Sequence, residues 1–337
     1  MPLSSRRKLY TLDAGRGVAA LAVTLHHAGQ MSPYQDRVAM GRPFAGLALG
    51  VAYFFVLSGT VIMLAHWKHI GKPGYALEYL RKRARRIYPL YWLAVIAWVC
   101  FALRRLPPVW AVADGAVLVR FFADDYKFYP PSWTLYHEIS FYMVFLCLIL
   151  HKRFGTFALG AWWLAALLSF RFQSLDFAQY PSSIQLLFGL GVFAGWWLLK
   201  GRRTRAPWLL TMAGAALLSA LCIRAAWVPL RQDTYLAAGV AALMLVLGAA
   251  ELEAREKLSI SAVLQFFGTA SYALYLFHPM FLVVGTAVLK RVQHHIALSD
   301  WTCLLILFAL ATAGGCAAHL WIERPLLRWI NRPRLAG

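Results

Sequence analysis

From residue 11 to residue 322 the chain alternates apolar runs with short, mostly basic connections, and that alternation leaves little choice of fold. Crossing a hydrocarbon core of about 30 Å takes about 20 helical residues. Runs at 47–65, 133–150, 184–199, 234–250, 262–289 and 301–322 approach or exceed that length. Lipid offers no partners for unpaired backbone N–H and C=O groups, so such runs must be helical. Only 14% of residues are charged and 61% are hydrophobic. A soluble domain carries about 25% charged residues, so this chain lacks the polar surface to cover a water-soluble globule.

The pattern predicts an all-α polytopic membrane protein with about ten transmembrane helices. The expected spans are 11–30, 46–66, 88–104, 133–150, 154–172, 181–199, 207–224, 235–250, 262–290 and 301–322. Two outer connections are long, 31–45 and 105–132, and the second contains a stretch, 109–122, suited to an interfacial or re-entrant helix. No fixed-period repeat or linker divides the chain, so residues 1–337 are expected to form a single membrane domain. Basic residues ahead of an apolar stretch raise the case of a cleaved leader. Asp13 and Arg16 interrupt that stretch with no small-residue cleavage site close behind, so a retained first span is expected.

A net charge of +20 could suggest a nucleic-acid partner, but its distribution argues against one. The clusters at 6–8, 68–86, 152–153, 200–205, 255–257 and 324–334 all fall on one side if the N-terminus is inside. Inside Lys and Arg then outnumber those outside by about two to one, the positive-inside bias that places both termini in the cytoplasm. With no soluble module to carry it, nucleic-acid binding is not expected; the lipid bilayer is the expected partner. The five cysteines lie within apolar segments without paired spacing, and no His/Cys/Asp cluster has ligand spacing, so neither disulfides nor a metal site is expected.

Ionisable groups inside membrane spans are expensive and usually functional. The first span carries Asp13, Arg16, His26 and His27. Arg16 and His27 are eleven residues apart, within about 20° of the same helix face and about 16 Å apart along the axis. One face therefore holds a cation near the inner end and an imidazole near the outer end. The plainer alternative is a snorkelling Arg16 and an interfacial His27. In the fourth span Glu138 lies about 7–8 Å below the outer end, at the depth of His27. A carboxylate and an imidazole at one level suit a general base and its orienting partner, or a structural ion pair. Arg83 and Arg86 precede the third span one turn apart, placed either to grip phosphates or to meet anionic head groups. Tyr272, Tyr275 and His278 recur at steps of three ahead of Pro279, a polar stripe expected to line a passage in a helix that proline kinks. A solute transporter using the same groups as a relay is a reading of a different class, as is a non-catalytic partner in polysaccharide export.

Taken in order, the motifs resemble membrane-bound acyltransferase family 3, ten-helix proteins that O-acylate carbohydrates at bacterial surfaces. The resemblance runs from the first span to the last. It rests on Leu12-Asp13 with Arg16 and His27, Phe54-Phe55-Val56-Leu57-Ser58-Gly59, the Arg83/Arg86 pair before Ile87 and Pro89, Ser132-Trp133-Thr134-Leu135 with Glu138 and Phe141-Tyr142, the Ser271 to His278 block, and Glu323-Arg324-Pro325. It implies a single-domain, multi-pass O-acyltransferase of the bacterial inner membrane. The donor it implies is cytoplasmic acyl-CoA, usually acetyl-CoA, as a co-substrate with no bound cofactor. The acceptor it implies is a carbohydrate hydroxyl such as exopolysaccharide or O-antigen. By the same resemblance Arg16 and His27 are essential, Arg83 and Arg86 bind the donor, and Glu138 is the carboxylate partner. His26 beside His27 leaves two candidates for the reactive imidazole. A Ser58-Gly59 turn and the tyrosine stripe are expected to line the passage, with Ser58, Tyr272 or Tyr275 donating to the oxyanion.

Overall fold

The protein's computed structural model describes residues 9–31, 37–101, 109–118, 129–172 and 182–332. The basic cluster at 6–8, the ends of several connections and the tail of the expected 109–122 helix lie outside them. Every regular element among the described residues is helical. In chain order the helices are α1 (Tyr10–Gln30), α2 (Arg37–Gly41), α3 (Gly50–His66), α4 (Ala76–Phe101), α5 (Val109–Val117), α6 (Ser132–Leu150) and α7 (Lys152–Arg171). They continue as α8 (Gln185–Leu199), α9 (Pro207–Arg224), α10 (Gln232–Ala254), α11 (Ala262–Gln293), α12 (Asp300–Ala318) and α13 (Arg324–Ile330). Within the described residues each expected span overlaps one of these helices.

Seven helical stretches are long and apolar enough to cross a membrane: Ala39–His69, Ser132–Leu150, Lys152–Arg171, Pro207–Arg224, Gln232–Ala254, Ala262–Gln293 and Asp300–Ile330. The helices at the other three expected spans fall outside this set. Asp13, Arg16, His26 and His27 interrupt α1, α4 opens on the basic stretch, and α8 has 15 residues. The basic stretch is continuous with the span that follows because Leu, Arg, Lys and Ala are all strong helix formers.

Glycines decide which helices touch. A Cβ on Gly17 of α1 would lie 2.7 Å from the Gly268 nitrogen of α11, and one on Gly268 would lie 2.2 Å from the Asp13 oxygen. The two backbones are therefore in direct contact, as small residues permit between membrane helices. Likewise a Cβ on Gly59 of α3 would meet the Phe188 oxygen of α8 at 2.2 Å, and one on Gly191 would meet the Val56 oxygen at 2.0 Å. Further along both chains Gly195 of α8 lies against Thr60 and Met63 of α3, and His27 of α1 meets His278 of α11, so α3 runs parallel to α8 and α1 parallel to α11. The pairs α9/α10 and α11/α12 are antiparallel, with Gly214 against Ala241 but Gly248 against Pro207, and Gly285 against Leu310 but Gly315 against Leu274.

Gly59 also corrects an expectation. Residues 58 and 59 form no turn; they lie within α3, and the missing Cβ serves the approach to α8. Pro279 lies inside α11, which runs through it to Gln293 as the expected span at 262–290 does.

Polar groups settle the ends. The N-terminus of α1 is capped from across the bundle: Glu253 of α10 accepts from the Tyr10 and Thr11 N–H groups, each at 2.8 Å, and from the Thr11 hydroxyl at 2.7 Å. Serines 261 and 299 accept from the third residue of α11 and α12, the usual N-cap arrangement. The short helix α5 occupies part of the stretch where an interfacial helix is expected. Its last carbonyls have no intrahelical donors, and three aromatic side chains of α4 supply them. Tyr91 donates to Gly115 at 2.7 Å, Trp92 to Ala116 at 2.9 Å and Tyr88 to Val117 at 2.7 Å.

Candidate active site

Helices α1, α3, α4, α6 and α11 enclose a cavity of about 430 Å³, within the size range of small-molecule sites. Its walls carry Arg16, Ser58, Arg83, Arg86, Glu138, Tyr272 and Tyr275. Seven of the nine residues singled out from sequence are thus brought to one space, from helices as much as 250 residues apart. The other two, His27 and His278, do not line it.

The cationic end is built by α4. Arg86 donates to Glu323 at 3.0 Å and lies over the Tyr272 ring, 5.1 Å from its centroid. Glu323 is buried, and its second oxygen meets His319 Nδ1 at 2.6 Å; the other His319 nitrogen accepts from Arg324 at 3.1 Å. This chain sits on a π-helical turn, His319–Glu323, that joins α12 to α13; such turns are frequent at functional sites. Arg83 stands differently. Its guanidinium lies 5.7 Å from the Tyr142 ring centroid, and its buried Nε has no hydrogen-bond partner among the described residues. Arg16 donates to Asp13 at 2.9 Å and to the Gly268 carbonyl at 3.2 Å.

In the middle of the cavity, Glu138 accepts from Ser58 at 3.3 Å and from the Tyr142 hydroxyl. The expected contact between Glu138 and His27 is not made. Equal depth on two helices gives equal height, but Glu138 faces α3 and its own next turn. Tyr275 also lines the cavity; its hydroxyl is 2.7 Å from that of Thr134 and donates to the Pro131 carbonyl at 3.4 Å. Tyr272 donates to the Ile87 carbonyl at 2.9 Å. Each hydroxyl expected to serve as an oxyanion donor is therefore already engaged.

Beyond Tyr275 lie the imidazoles. His278 Nε2 is 3.1 Å from His27 Nδ1, with ring centroids 5.0 Å apart. The ring of His278 is in turn 5.9 Å from that of Tyr275. His278, expected to line the passage, is instead the ring that meets His27. His26 points elsewhere and donates from Nδ1 to the Phe44 carbonyl at 3.0 Å. The contact Gly17/Gly268 and the contact His27/His278 are ten residues apart on each of two parallel helices, about 15 Å along the axis. One glycine crossing therefore sets the register of the imidazole pair.

Sequence reasoning missed Glu323 and His319 as partners of the arginine pair. The signal was present as an acid four residues after a histidine, beside the Glu323-Arg324-Pro325 motif.

A helical bundle with half-buried cations and a carboxylate around one cavity, and an imidazole pair beyond it, suits a membrane enzyme, and comparison with known proteins agrees. The acyltransferase domain family matches residues 9–320, and the chain belongs to that family. It is an acyltransferase that transfers groups other than amino-acyl groups. It is 29% identical to the exopolysaccharide production protein ExoZ of Rhizobium meliloti (strain 1021), over 86% of this chain and 92% of that one. It is 26% identical to the acyltransferase MdmB of Streptomyces mycarofaciens, over 97% and 94% of the two chains. Protein 2 in picA locus of Rhizobium radiobacter is 29% identical over 41% of this chain and 81% of its own. No solved structure matches.

Proposed function

We propose that this protein moves an acyl group, most simply acetyl, from cytoplasmic acyl-CoA to a hydroxyl of a cell-surface or lipid-linked carbohydrate such as exopolysaccharide or O-antigen. It does so as a single ten-span domain of the bacterial inner membrane, with both termini in the cytoplasm. The observation that carries this reading is the cavity, which runs from the cations of α4 to the tyrosine beside the imidazole pair. Two further observations support it. The name of the ExoZ relative concerns exopolysaccharide production. The parallel pairs α1/α11 and α3/α8 fit a first with a ninth span and a second with a sixth, as ten crossings require.

In the reaction, Arg83 and Arg86 hold the donor's phosphates at the cytoplasmic mouth, and Arg16 adds positive charge deeper in. The pantetheine arm lies along the cavity past Ser58 and Glu138, with its thioester toward Tyr275. Passage to His27 requires the Tyr275–Thr134 contact to open. His27 removes the proton of the acceptor hydroxyl, and that oxygen attacks the thioester carbonyl. The C–S bond breaks, the ester forms, and the CoA thiolate takes a proton. The variant route, in which His27 is acylated first, uses the same nitrogen. Tyr275 and Thr134, once apart, are the hydroxyls nearest the reacting carbonyl for stabilising its oxyanion.

The test uses membranes carrying wild type or His27→Ala at equal abundance, with acetyl-CoA labelled on the acetyl group. Label is expected on a glycan as a base-labile ester with wild type and not with the variant. Equal labelling by both removes His27 from the chemistry, and absence of label from a folded wild type removes acetyl-CoA as donor.

A further inference from the structure

The geometry points to His278 as a positioning residue: the carbonyl that Pro279 leaves free fixes its tautomer, and through it leaves His27 Nε2 as the reactive nitrogen. The inference rests on the reading of His27 as the base or nucleophile, and it adds which nitrogen reacts and why.

One backbone hydrogen is missing from α11. In an α-helix the N–H of residue i bonds the carbonyl of residue i−4. Residue 279 is proline, which has no N–H and whose ring crowds that carbonyl. The carbonyl of Tyr275 therefore has no helical donor, although α11 continues through the position. A carbonyl left unpaired inside a bundle is costly, and His278 pairs it. His278 Nδ1 lies 2.8 Å from the Tyr275 oxygen and 3.2 Å from the Leu274 oxygen. Carbonyls only accept, so Nδ1 of His278 carries the proton.

His278 is 1% exposed, and among the described residues no carboxylate is in hydrogen-bond contact with His26, His27 or His278. A second proton on His278 would be a buried charge with no counterion, so the neutral ring is the form the site supports. With Nδ1 protonated, Nε2 is an acceptor. The atom 3.1 Å away is His27 Nδ1, which must then be the donor. His27 thus carries its proton on Nδ1, and its Nε2 holds the lone pair. Orienting a catalytic imidazole through its other nitrogen is a task usually given to a carboxylate or a carbonyl. Here a second imidazole does it together with the backbone of Val23 one turn back, and a proline makes that imidazole a reliable acceptor.

Three substitutions test this in membranes with labelled acetyl-CoA, each checked for abundance and thermal midpoint. His278→Leu removes the acceptor and is expected to lower kcat by about 100-fold or more, with KM for acetyl-CoA within about twofold. His278→Gln places a carbonyl oxygen near the Nε2 position and is expected to recover at least about tenfold over leucine. Pro279→Ala returns an N–H to the Tyr275 carbonyl, loosens His278, and is expected to lower kcat without raising KM. If the leucine variant fails to accumulate, His278→Asn replaces it, because its amide reaches the Nδ1 position but not His27.

Wild-type kcat in His278→Leu overturns the positioning role, and so does glutamine performing no better than leucine or asparagine. His27→Ala, run in parallel, separates the two claims. An inactive His27→Ala beside an unaffected His278→Leu overturns only the inference drawn here, whereas an active His27→Ala overturns the reading beneath it as well.

Discussion

Arg83 and Arg86 are one turn apart and face the same cavity, yet they stand in different electrostatic states. Arg86 is paired with a buried glutamate, whereas Arg83 makes no ion pair among the described residues and lies against the Tyr142 ring. Under the proposed function their replacements should separate. Arg83→Gln is expected to raise KM for acetyl-CoA about tenfold or more with the thermal midpoint unchanged. Arg86→Gln leaves Glu323 buried without its cation. A fully buried pair broken on one side costs about 3–5 kcal/mol. Arg86 is 35% exposed, so about 1–3 kcal/mol is expected, read as a lower thermal midpoint in detergent together with weaker donor binding. If Arg86→Gln keeps its midpoint, the pair is not a structural tie. At this scale the sequence was a partial guide. Residue type and depth marked Arg16, His27 and Glu138, because charge inside an apolar run is conspicuous, while Arg83 and Arg86 were marked by their one-turn spacing ahead of a span. Depth gives height along a helix and says nothing about which neighbour stands beside it. The partner of His27 therefore came from α11, 251 residues on in the sequence, and not from Glu138. The clue was Pro279 after His278: a proline inside a long apolar run frees a carbonyl one turn back.

Among the elements, the approach of α3 to α8 is the clearest case of a motif explained by packing. Ser58 meets Glu138 of α6, and the next residue, Gly59, lets the α3 backbone lie against α8. Gly59→Ala would place a methyl 2.2 Å from a backbone oxygen, and backbone does not yield as a side chain can. Overpacking of this kind costs about 1–3 kcal/mol, and the shift should also pull Ser58 from Glu138. Gly74→Ala, with nothing within 4 Å of the added carbon, is the matched control and is expected to be neutral. Thermal midpoints of the two variants in one detergent decide it, and equal midpoints would refute the crossing. The helices themselves were legible because apolar length is a strong signal. Their neighbours were not, since a glycine in an apolar run marks a close approach without naming what approaches.

For the whole molecule, relative helix direction supplies what composition cannot. Three of the ten expected spans are too polar or too short to stand out by hydropathy, yet α8 lies along α3 and α1 along α11 over several turns. The topology proposed above puts Lys200, after α8, on the cytoplasmic side and Arg231, before α10, on the opposite side. In a variant whose native cysteines are replaced by serine, Arg231→Cys should react with an impermeant thiol reagent in intact cells. Lys200→Cys should react only after permeabilisation. The reverse pattern would invert the protein, and equal reactivity would remove a crossing between them.

Under the proposed function a group passes from one face of a bilayer to the other, which brings a hazard unrelated to catalysis: the protein must not become a hole. The cell's ion gradients would drain through any water-filled path past Arg16 and Glu138. The junction of Tyr275, Thr134 and the Pro131 carbonyl stands between the cavity and the imidazole pair, where under the proposed function it serves as the inner door of an airlock. A door that yields only to a carried group would let the enzyme spend thioester on transfer and leave the membrane potential intact.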